Sequence, residues 1–236
     1  MHHEQDHLEA IGGRAAPSGR TGPASSFHVG TSVSALSSIH DPAVAIAVWQ
    51  RALPEGVGEA LAAGASAVGS GFEGIVDPAR VDLSPTVAGI ADVRARAWLL
   101  SDATSLVDRF TSLAGSSLLR LSLGAVSDDQ CRRFHVDYLR LRLVTTYAGP
   151  GTEWLPEEAV DREALERVDR SPAEANRHIL RDPSALRCAR AGDVLLMKGS
   201  RYPSLHGGGA VHRSPPIDGT GHTRIVLVLS TFDPPV

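Results

Sequence analysis

Residues 134–147 read FHVDYLRLRLVTTY, and this stretch decides how the rest of the chain is interpreted. Read as a single β-strand, it places successive side chains on opposite faces. His135 and Asp137 then share one face with three leucines, while Arg140 and Arg142 lie on the other face. The sequence therefore predicts an imidazole and a carboxylate on the apolar, interior side of a strand, with both arginines pointing away from them.

A divalent metal ion is the predicted partner of these two side chains, because an unpaired buried charge is costly. A third ligand must then come from further along the chain. His212 falls in a short predicted strand, residues 210–213, after a glycine-rich entry. The other histidines downstream are expected in loops, and they are His178, His206 and His222. His135, Asp137 and His212 would leave three coordination positions open, the arrangement of non-haem Fe(II) oxygenases.

Arg224 is the predicted binding residue for an anionic co-substrate. It lies twelve residues after His212, at the start of the final apolar strand predicted over residues 223–231. An arginine there can pair with a carboxylate through two parallel hydrogen bonds. Arg213 is adjacent to His212 and should point to the opposite face, so Arg224 is preferred.

The composition excludes several classes of protein. The 236 residues are 42% hydrophobic and 21% charged, with a net charge of −4, which gives no support to a nucleic-acid or membrane-surface partner. Two cysteines without a CxxC motif exclude a disulfide framework and a cysteine-rich zinc site, and they favour a cytoplasmic location. The sequence predicts neither a membrane span nor a secretory signal, because it has no 18-residue apolar run and no basic segment followed by an apolar one at its start.

The chain is predicted to form one domain, residues 39–236, after a flexible leader, residues 1–38, that is rich in Gly, Ser, Ala, Pro and His. Residues 92–114 predict a long helix that Gly115 ends. Its apolar stripe recurs at spacings of three and four residues and comprises Leu99, Ala103, Leu106, Phe110 and Leu113. Residues 119–125 alternate apolar and polar positions and predict a half-buried strand that this helix covers.

The remaining elements are mostly short strands. Before the long helix, the sequence predicts a strand over residues 43–50 and a helix over 55–63. Residues 156–186 are predicted to form a polar connection between strands that contains two short helices. Residues 185–189 and 194–198 are predicted to pair as a hairpin around a tight turn. An all-β second half with a helical cover predicts a mainly β, α+β protein built on a sandwich or small barrel.

Two further motifs do not carry function. Residues 69–74 read GSGFEG and match the letters of a dinucleotide-binding fingerprint, but no clear strand precedes them and Pro78 interrupts any helix after them. They are interpreted as a flexible loop. Residues 206–209 read HGGG, as in the oxyanion loop of lipases, but the chain contains no GxSxG nucleophile elbow, so that class of hydrolase is excluded.

The order HxD, then His212, then Arg224 resembles that of Fe(II)/2-oxoglutarate-dependent oxygenases with a double-stranded β-helix (jelly-roll or cupin-like) core. More closely, three segments are similar to an uncharacterised bacterial family known only as a domain of unknown function. They read FHVDYLRLRLVTTYAGPGTEWLP from residue 134, AGDVLLMKG from residue 191 and GAVHRSPP from residue 209. That similarity covers roughly residues 40–232 and implies a fold and a site.

The oxygenase resemblance implies specific roles. His135, Asp137 and His212 would ligate catalytic Fe(II), and Arg224 would bind the distal carboxylate of 2-oxoglutarate. Tyr147 is a candidate contact of the co-substrate. The residues proposed for the pocket rim are Tyr138, Tyr147, Glu153 and Trp154. With O₂, such an enzyme would hydroxylate or otherwise oxidise a small-molecule or protein substrate.

Three alternatives stay open on the sequence. A cupin-like protein could hold Zn²⁺ or another divalent ion for homeostasis without oxidative turnover, since imidazole and carboxylate suit zinc as well as iron. A cupin dioxygenase or isomerase that needs no co-substrate could use the same three ligands. His135 and Asp137 could also be only a hydrogen-bonded pair at the start of a strand.

Overall fold

A computed structural model describes residues 26–203 and 208–232 of the chain. The strands are β1 (Phe27–Gly30), β2 (Ile46–Trp49), β3 (Phe72–Val76), β4 (Leu119–Val126), β5 (Leu141–Ala148), β6 (Glu153–Leu155), β7 (Arg187–Cys188), β8 (Val194–Lys198), β9 (Val211–Arg213) and β10 (Arg224–Thr231). The α-helices are α1 (Val57–Ala63), α2 (Ala65–Val68), α3 (Ser84–Val87), α4 (Val93–Ala114), α5 (Arg162–Glu166) and α6 (Pro172–Ile179). Short 3-10 helices lie at Val33–His40, Pro78–Arg80, Glu157–Ala159 and Pro183–Ala185.

A large sheet in the order β1-β2-β8-β5-β10-β4-β3 forms the centre of the fold. Its neighbours are antiparallel except for β1 and β2, which are parallel. Because side chains alternate along each strand, the sheet has two distinct faces. On β5, Leu141 and Leu143 point to one face, and Arg142 and Val144 to the other.

Helix α4 covers one face of the large sheet. Asp92 caps its first turn by accepting a hydrogen bond from the amide of Ala95 at 2.7 Å. Gly115 ends it in the left-handed conformation, with φ of 58°. The buried helix residues pack with alternate leucines of β4, β5 and β10 in the main hydrophobic core. The helix predicted over residues 92–114 and the strand predicted over 119–125 are thus confirmed.

A small sheet in the order β7-β6-β9 faces the other side of the large sheet. Trp154 of β6 packs there against Val144 of β5, Leu195 of β8 and Val226 of β10. A third cluster forms where α6 and its neighbours close the end of the small sheet, with Phe134 and Ile179 buried. The protein is therefore a mixed α+β fold with helices on one face of a large sheet and a small sheet on the other.

Three predicted elements differ from the structure. Residues of the predicted leader, 1–38, form β1 and most of a 3-10 helix beyond residue 26, while residues 1–25 lie outside the described part. The predicted hairpin of residues 185–189 and 194–198 is wrong, because β7 pairs with β6 in the small sheet and β8 lies in the large sheet. The loop predicted over residues 69–74 also contains the start of an edge strand, β3, which pairs with β4.

The predicted strand over residues 134–147 is regular only in its second half, β5. His135 forms an isolated bridge with His212, and the residues between that bridge and β5 are not in a strand. The strict alternation therefore breaks between Asp137 and Leu141. The expectation that Arg142 points away from His135 and Asp137 rests on that alternation, and the structure overturns it.

Within residues 26–203 and 208–232, no helix combines the length and the apolar character that crossing a membrane requires.

Candidate metal centre

The structure brings His135, Asp137 and His212 together, although 75 residues separate the last two. Each offers one ligand-type atom, and these atoms lie within 4.8 Å of one another. His212 Nε2 is 3.3 Å from one carboxylate oxygen of Asp137, and His135 Nε2 is 3.6 Å from the other. The three side chains therefore converge on one point between the large sheet and the small sheet.

The backbone sets the distance between the two histidines. His135 and His212 exchange both of their main-chain hydrogen bonds, at 3.0 and 3.1 Å, as directly opposed residues of an antiparallel pair. Opposed residues point their side chains to the same face, so the two rings lie with their centroids 4.6 Å apart and their planes tilted by 49°. The imidazole pair is thus held by main-chain geometry.

Both imidazole rings are oriented by main-chain carbonyls. Nδ1 of His135 is 2.9 Å from the carbonyl oxygen of Arg133, and Nδ1 of His212 is 3.2 Å from that of Ala210. A carbonyl oxygen can only accept, so each Nδ1 carries the proton in the neutral ring. In that neutral tautomer each Nε2 presents a lone pair toward Asp137, as in metal-binding histidines.

Arg142 contacts the carboxylate that the two histidines face. Its Nη1 donates to Oδ1 of Asp137 at 2.8 Å, and its Nε donates to the hydroxyl of Ser230 at 3.2 Å. Sequence reasoning missed this contact. The available signal was that Arg142 alternates with the core-facing leucines of β5, as Arg224 alternates with the core-facing Ile225 of β10.

Burial and charge favour a neutral His212 and an ionised Asp137, the forms that bind a metal ion. Burial lowers the pKa of His212 to about 4, although the nearby Asp137 carboxylate acts in the opposite direction. The ring is therefore neutral at pH 7, with a free lone pair. Burial on its own raises the pKa of Asp137, but its interactions with His135 and Arg142 outweigh burial, so this pKa is lowered overall.

The residues fit a divalent metal ion. Oδ2 of Asp137 is buried and has no hydrogen-bond partner among the described residues. Two nitrogen lone pairs also face this carboxylate, an arrangement that repels itself unless a cation or a proton lies between the groups. Neighbouring ligands about 2.1 Å from one ion lie roughly 3 Å apart, close to the 3.3 Å between His212 and Asp137. Imidazole nitrogen and carboxylate oxygen suit iron and zinc alike.

A cavity of about 340 Å³ adjoins the three side chains and contains both His135 and His212 in its wall. Arg224 lies in the same wall and is buried. Its Nη2 donates to the hydroxyl of Thr146 at 3.2 Å, while its Nε is buried with no partner among the described residues. Burial lowers the pKa of Arg224 to about 10, which still leaves the guanidinium charged at pH 7. The cavity thus combines the two candidate histidine ligands with a desolvated cation.

Tyr147 lies on the other face of β5 and does not reach this cavity. It is fully buried in the helix-side core, where its hydroxyl donates to Asp102 at 2.8 Å. Asp102 also accepts from Arg51, and the ring of Trp98 packs edge-on against Tyr147. The prediction that Tyr147 contacts a co-substrate is therefore wrong, because Tyr147 has the parity of the core-facing Leu143.

The other predicted rim residues have structural partners or lie elsewhere. Glu153 accepts from Arg213 at 2.6 Å, and that arginine also stacks over the ring of Phe134. Trp154 is buried between the sheets. Tyr138 is 82% exposed and lines a second cavity. His206 lies outside the described residues.

The site and the fold define a mixed α+β protein with a His-Asp-His candidate metal centre beside a buried arginine. The chain belongs to the family described as "Protein of unknown function (DUF1826)", whose profile matches residues 30–230. No curated protein matches the sequence significantly.

Two solved structures are similar to this one in outline. The first is a dioxygenase for auxin oxidation from rice, with a TM-score of 0.40, 14% identity, and coverage of 80% of this chain and 74% of that one. The second is a prolyl-4-hydroxylase from Pseudomonas putida, with a TM-score of 0.39, 13% identity, and coverage of 84% and 92%.

Proposed function

We propose that the protein is an Fe(II)- and 2-oxoglutarate-dependent oxygenase built on a double-stranded β-helix, the jelly-roll core of cupins. It hydroxylates or otherwise oxidises a small-molecule or protein substrate. One observation carries the proposal: the Nε2 atoms of two histidines and a buried carboxylate oxygen with no partner among the described residues meet beside a cavity that both histidines and a buried arginine line. Two sheets that face each other across this site support the proposed core.

His135, Asp137 and His212 would hold the iron on one side and leave its other side facing the cavity. A bound Fe(II) ion would supply the oxidising chemistry for a substrate C–H bond, with 2-oxoglutarate and O₂ as co-substrates. Arg142 holds one carboxylate oxygen of Asp137 and leaves the other directed at His212. The carbonyls of Arg133 and Ala210 fix both rings with Nε2 inward.

Arg224 would bind the distal carboxylate of 2-oxoglutarate. Its guanidinium is already removed from water and oriented by Thr146, so little ordering remains to be done when a carboxylate arrives. Its free Nε and its remaining Nη protons offer parallel donors, which match the two oxygens of a carboxylate. A buried cation without an anionic partner is costly, which indicates that the cavity is built for an anion.

A zinc-binding protein without turnover would use the same three ligands. It would have no need for a buried arginine in the cavity wall that has no ion-pair partner among the described residues. Arg224 is therefore the residue that discriminates between the two functions, and the decisive experiment must include the keto acid.

The test is an anaerobic titration of the Fe(II)-loaded protein with 2-oxoglutarate. We expect a weak visible charge-transfer band and saturable binding. Arg224→Gln should weaken the binding of 2-oxoglutarate by at least about 2 kcal/mol, because it removes a charge-assisted pair from a buried site. Arg109→Gln, an exposed change on α4, is the matched control and should bind normally. Tight Zn²⁺ binding with no keto-acid binding would instead support the metal-binding alternative.

A further inference from the structure

A second cavity, of about 510 Å³, has Arg142 in its wall, as the first cavity does. Asp137, the carboxylate of the candidate metal centre, is in its wall, and it shares Glu73 and Arg142 with the first cavity. A volume of this size is typical of small-molecule sites. If the first cavity takes the co-substrate at Arg224, the second gives a separate approach to the same centre.

Arginines dominate the polar lining of this second cavity, and they are Arg120, Arg142 and Arg201. The carboxylates in the same wall are Asp137 and Glu73, and Asp137 is already paired with Arg142 at 2.8 Å. Neither Arg120 nor Arg201 has an ion-pair partner among the described residues. The cavity therefore has two guanidinium groups available to a ligand against one carboxylate.

The register of the large sheet relates Arg120 to Arg142, the arginine that contacts Asp137. Ser230 of β10 lies opposite Arg142 of β5 on one side and opposite Arg120 of β4 on the other. The three residues form one row across neighbouring strands, on the same face. With strands about 4.8 Å apart, the Arg120 backbone is roughly 10 Å from that of Arg142. Arg120 thus lies two strands from the arginine that touches Asp137, on the far side of β10.

Backbone contacts hold Arg201 beside the segment that carries Asp137 and Tyr138. Its amide donates to the carbonyl of Leu139 at 3.1 Å, and the amide of Ser200 donates to that of Asp137 at 2.9 Å. The Arg201 guanidinium lies 5.5 Å from the ring centre of Tyr138. A cation stacked on an exposed ring keeps its outward donors free for a second partner. The Tyr138 ring also adds a flat apolar surface beside the charge.

We propose that this second cavity binds the primary substrate and that the substrate is a small organic acid, whose carboxylate Arg120 and Arg201 hold. The inference rests on the proposed oxygenase function for its meaning, since it makes the bound acid the molecule oxidised at the centre. The acid's carbon skeleton would lie against Tyr138 and extend toward Asp137. Two arginines from different elements grip a carboxylate with defined geometry, which orients the rest of the molecule.

The test is a binding screen of small aliphatic and aromatic carboxylic acids against their primary amides, read by ligand-observed NMR. The protein is loaded with Zn²⁺ and saturating 2-oxoglutarate, so that Arg224 is already occupied. We expect acids to bind and their amides to bind roughly tenfold more weakly or not at all, the scale of a lost charge-assisted pair. Arg120→Gln and Arg201→Gln should each reduce the preference for the acid, and the double change should abolish it.

Arg109→Gln on the exposed side of α4 is the control with equal charge loss and should leave acid binding unchanged. The affinity for 2-oxoglutarate is measured in parallel for every variant and should stay constant. Equal binding of acids and amides, absence of any bound acid, or full acid affinity in the double variant overturns the inference. Binding of an acidic peptide but of no small acid overturns the assignment to a small molecule.

The two proposals fail in different ways. Loss of 2-oxoglutarate binding in the unmodified protein would remove the oxygenase function, and the screen is then repeated without the keto acid. An acid site that survives that repeat, and depends on Arg120 and Arg201, would show that the cavity binds acids for another purpose. Normal 2-oxoglutarate binding with no acid preference would remove only the substrate assignment.

Discussion

At the scale of single residues, the centre depends on which atom of each side chain is already engaged. The Nδ1 atoms of His135 and His212 are held by carbonyls, and one oxygen of Asp137 is held by Arg142. What remains free is one atom on each of the three residues, and those atoms face one another. Because the other atoms of these side chains are already held, less ordering remains when an ion binds, which reduces the cost of binding.

Replacing a histidine should remove the ion without removing the fold. We expect His135→Ala and His212→Ala each to abolish stoichiometric Fe(II) or Zn²⁺ binding, because two ligands do not complete the site. Metal content after dialysis and the circular dichroism spectrum measure the two outcomes. His222→Ala, an exposed histidine, is the control and should retain one ion. Full-affinity binding in both site variants would exclude this triad as the metal site.

Tyr147→Phe separates a structural residue from a binding residue. Loss of the hydrogen bond to Asp102 should lower the free energy of unfolding by about 1 kcal/mol, and Asp102 would keep its pairing with Arg51. The affinity for 2-oxoglutarate should not change, since Tyr147 faces the helices. Urea unfolding and keto-acid titration together give both values. A lower affinity for 2-oxoglutarate with an unchanged free energy of unfolding would instead show that Tyr147 contacts the co-substrate.

At the scale of elements, sequence patterns predict which face a residue occupies better than which strand it pairs with. The spacing of α4 and the alternation of β4 are local, and both predictions are confirmed. Pairing partners depend on distant segments, so the predicted hairpin failed although a strand lies in each of its two segments. The convergence of His135 with His212 followed from the types of residue, whereas the role of Arg142 depended on a break in a strand that no local pattern marks.

Strand β3 offers an element-scale test through two glycines. Gly69 and Gly71 both have positive φ, at 57° and 68°, so Ala at either position should cost about 1 kcal/mol. A Cβ on Gly71 would also lie 1.9 Å from the carbonyl oxygen of Leu123 in β4, whereas one on Gly69 meets nothing within 4 Å. We expect Gly71→Ala to destabilise the protein by about 1 to 3 kcal/mol more than Gly69→Ala in chemical unfolding. Equal losses would show that β3 moves freely against β4.

At the scale of the whole molecule, the candidate centre joins the two sheets. Asp137 precedes β5 of the large sheet, while His212 belongs to β9 of the small sheet. Trp154 and the apolar cluster around it hold the sheets together at a second place. An ion held by residues from both sides would therefore act as a crosslink between two layers.

Metal removal should loosen that junction more than the core. In hydrogen exchange, we expect chelation of the ion to speed exchange at residues 133–138 and 210–214 more than within α4, which the apolar core protects. Asp137→Asn is the matched control. The hydrogen-exchange rates of this variant should be nearly the same with and without the metal ion. An equal change along the whole chain would indicate global stabilisation without a link between the sheets.

The paired backbone of His135 and His212 has a consequence for protein engineering. Their spacing comes from an opposed antiparallel pair, a unit that recurs in many unrelated sheets. Two histidines at any such pair, each with a nearby carbonyl for Nδ1, would present two lone pairs at a similar separation. The pair therefore supplies two of the three ligands in a form that can be transferred to another scaffold. Adding one carboxylate beside the two Nε2 atoms would complete a three-ligand centre there.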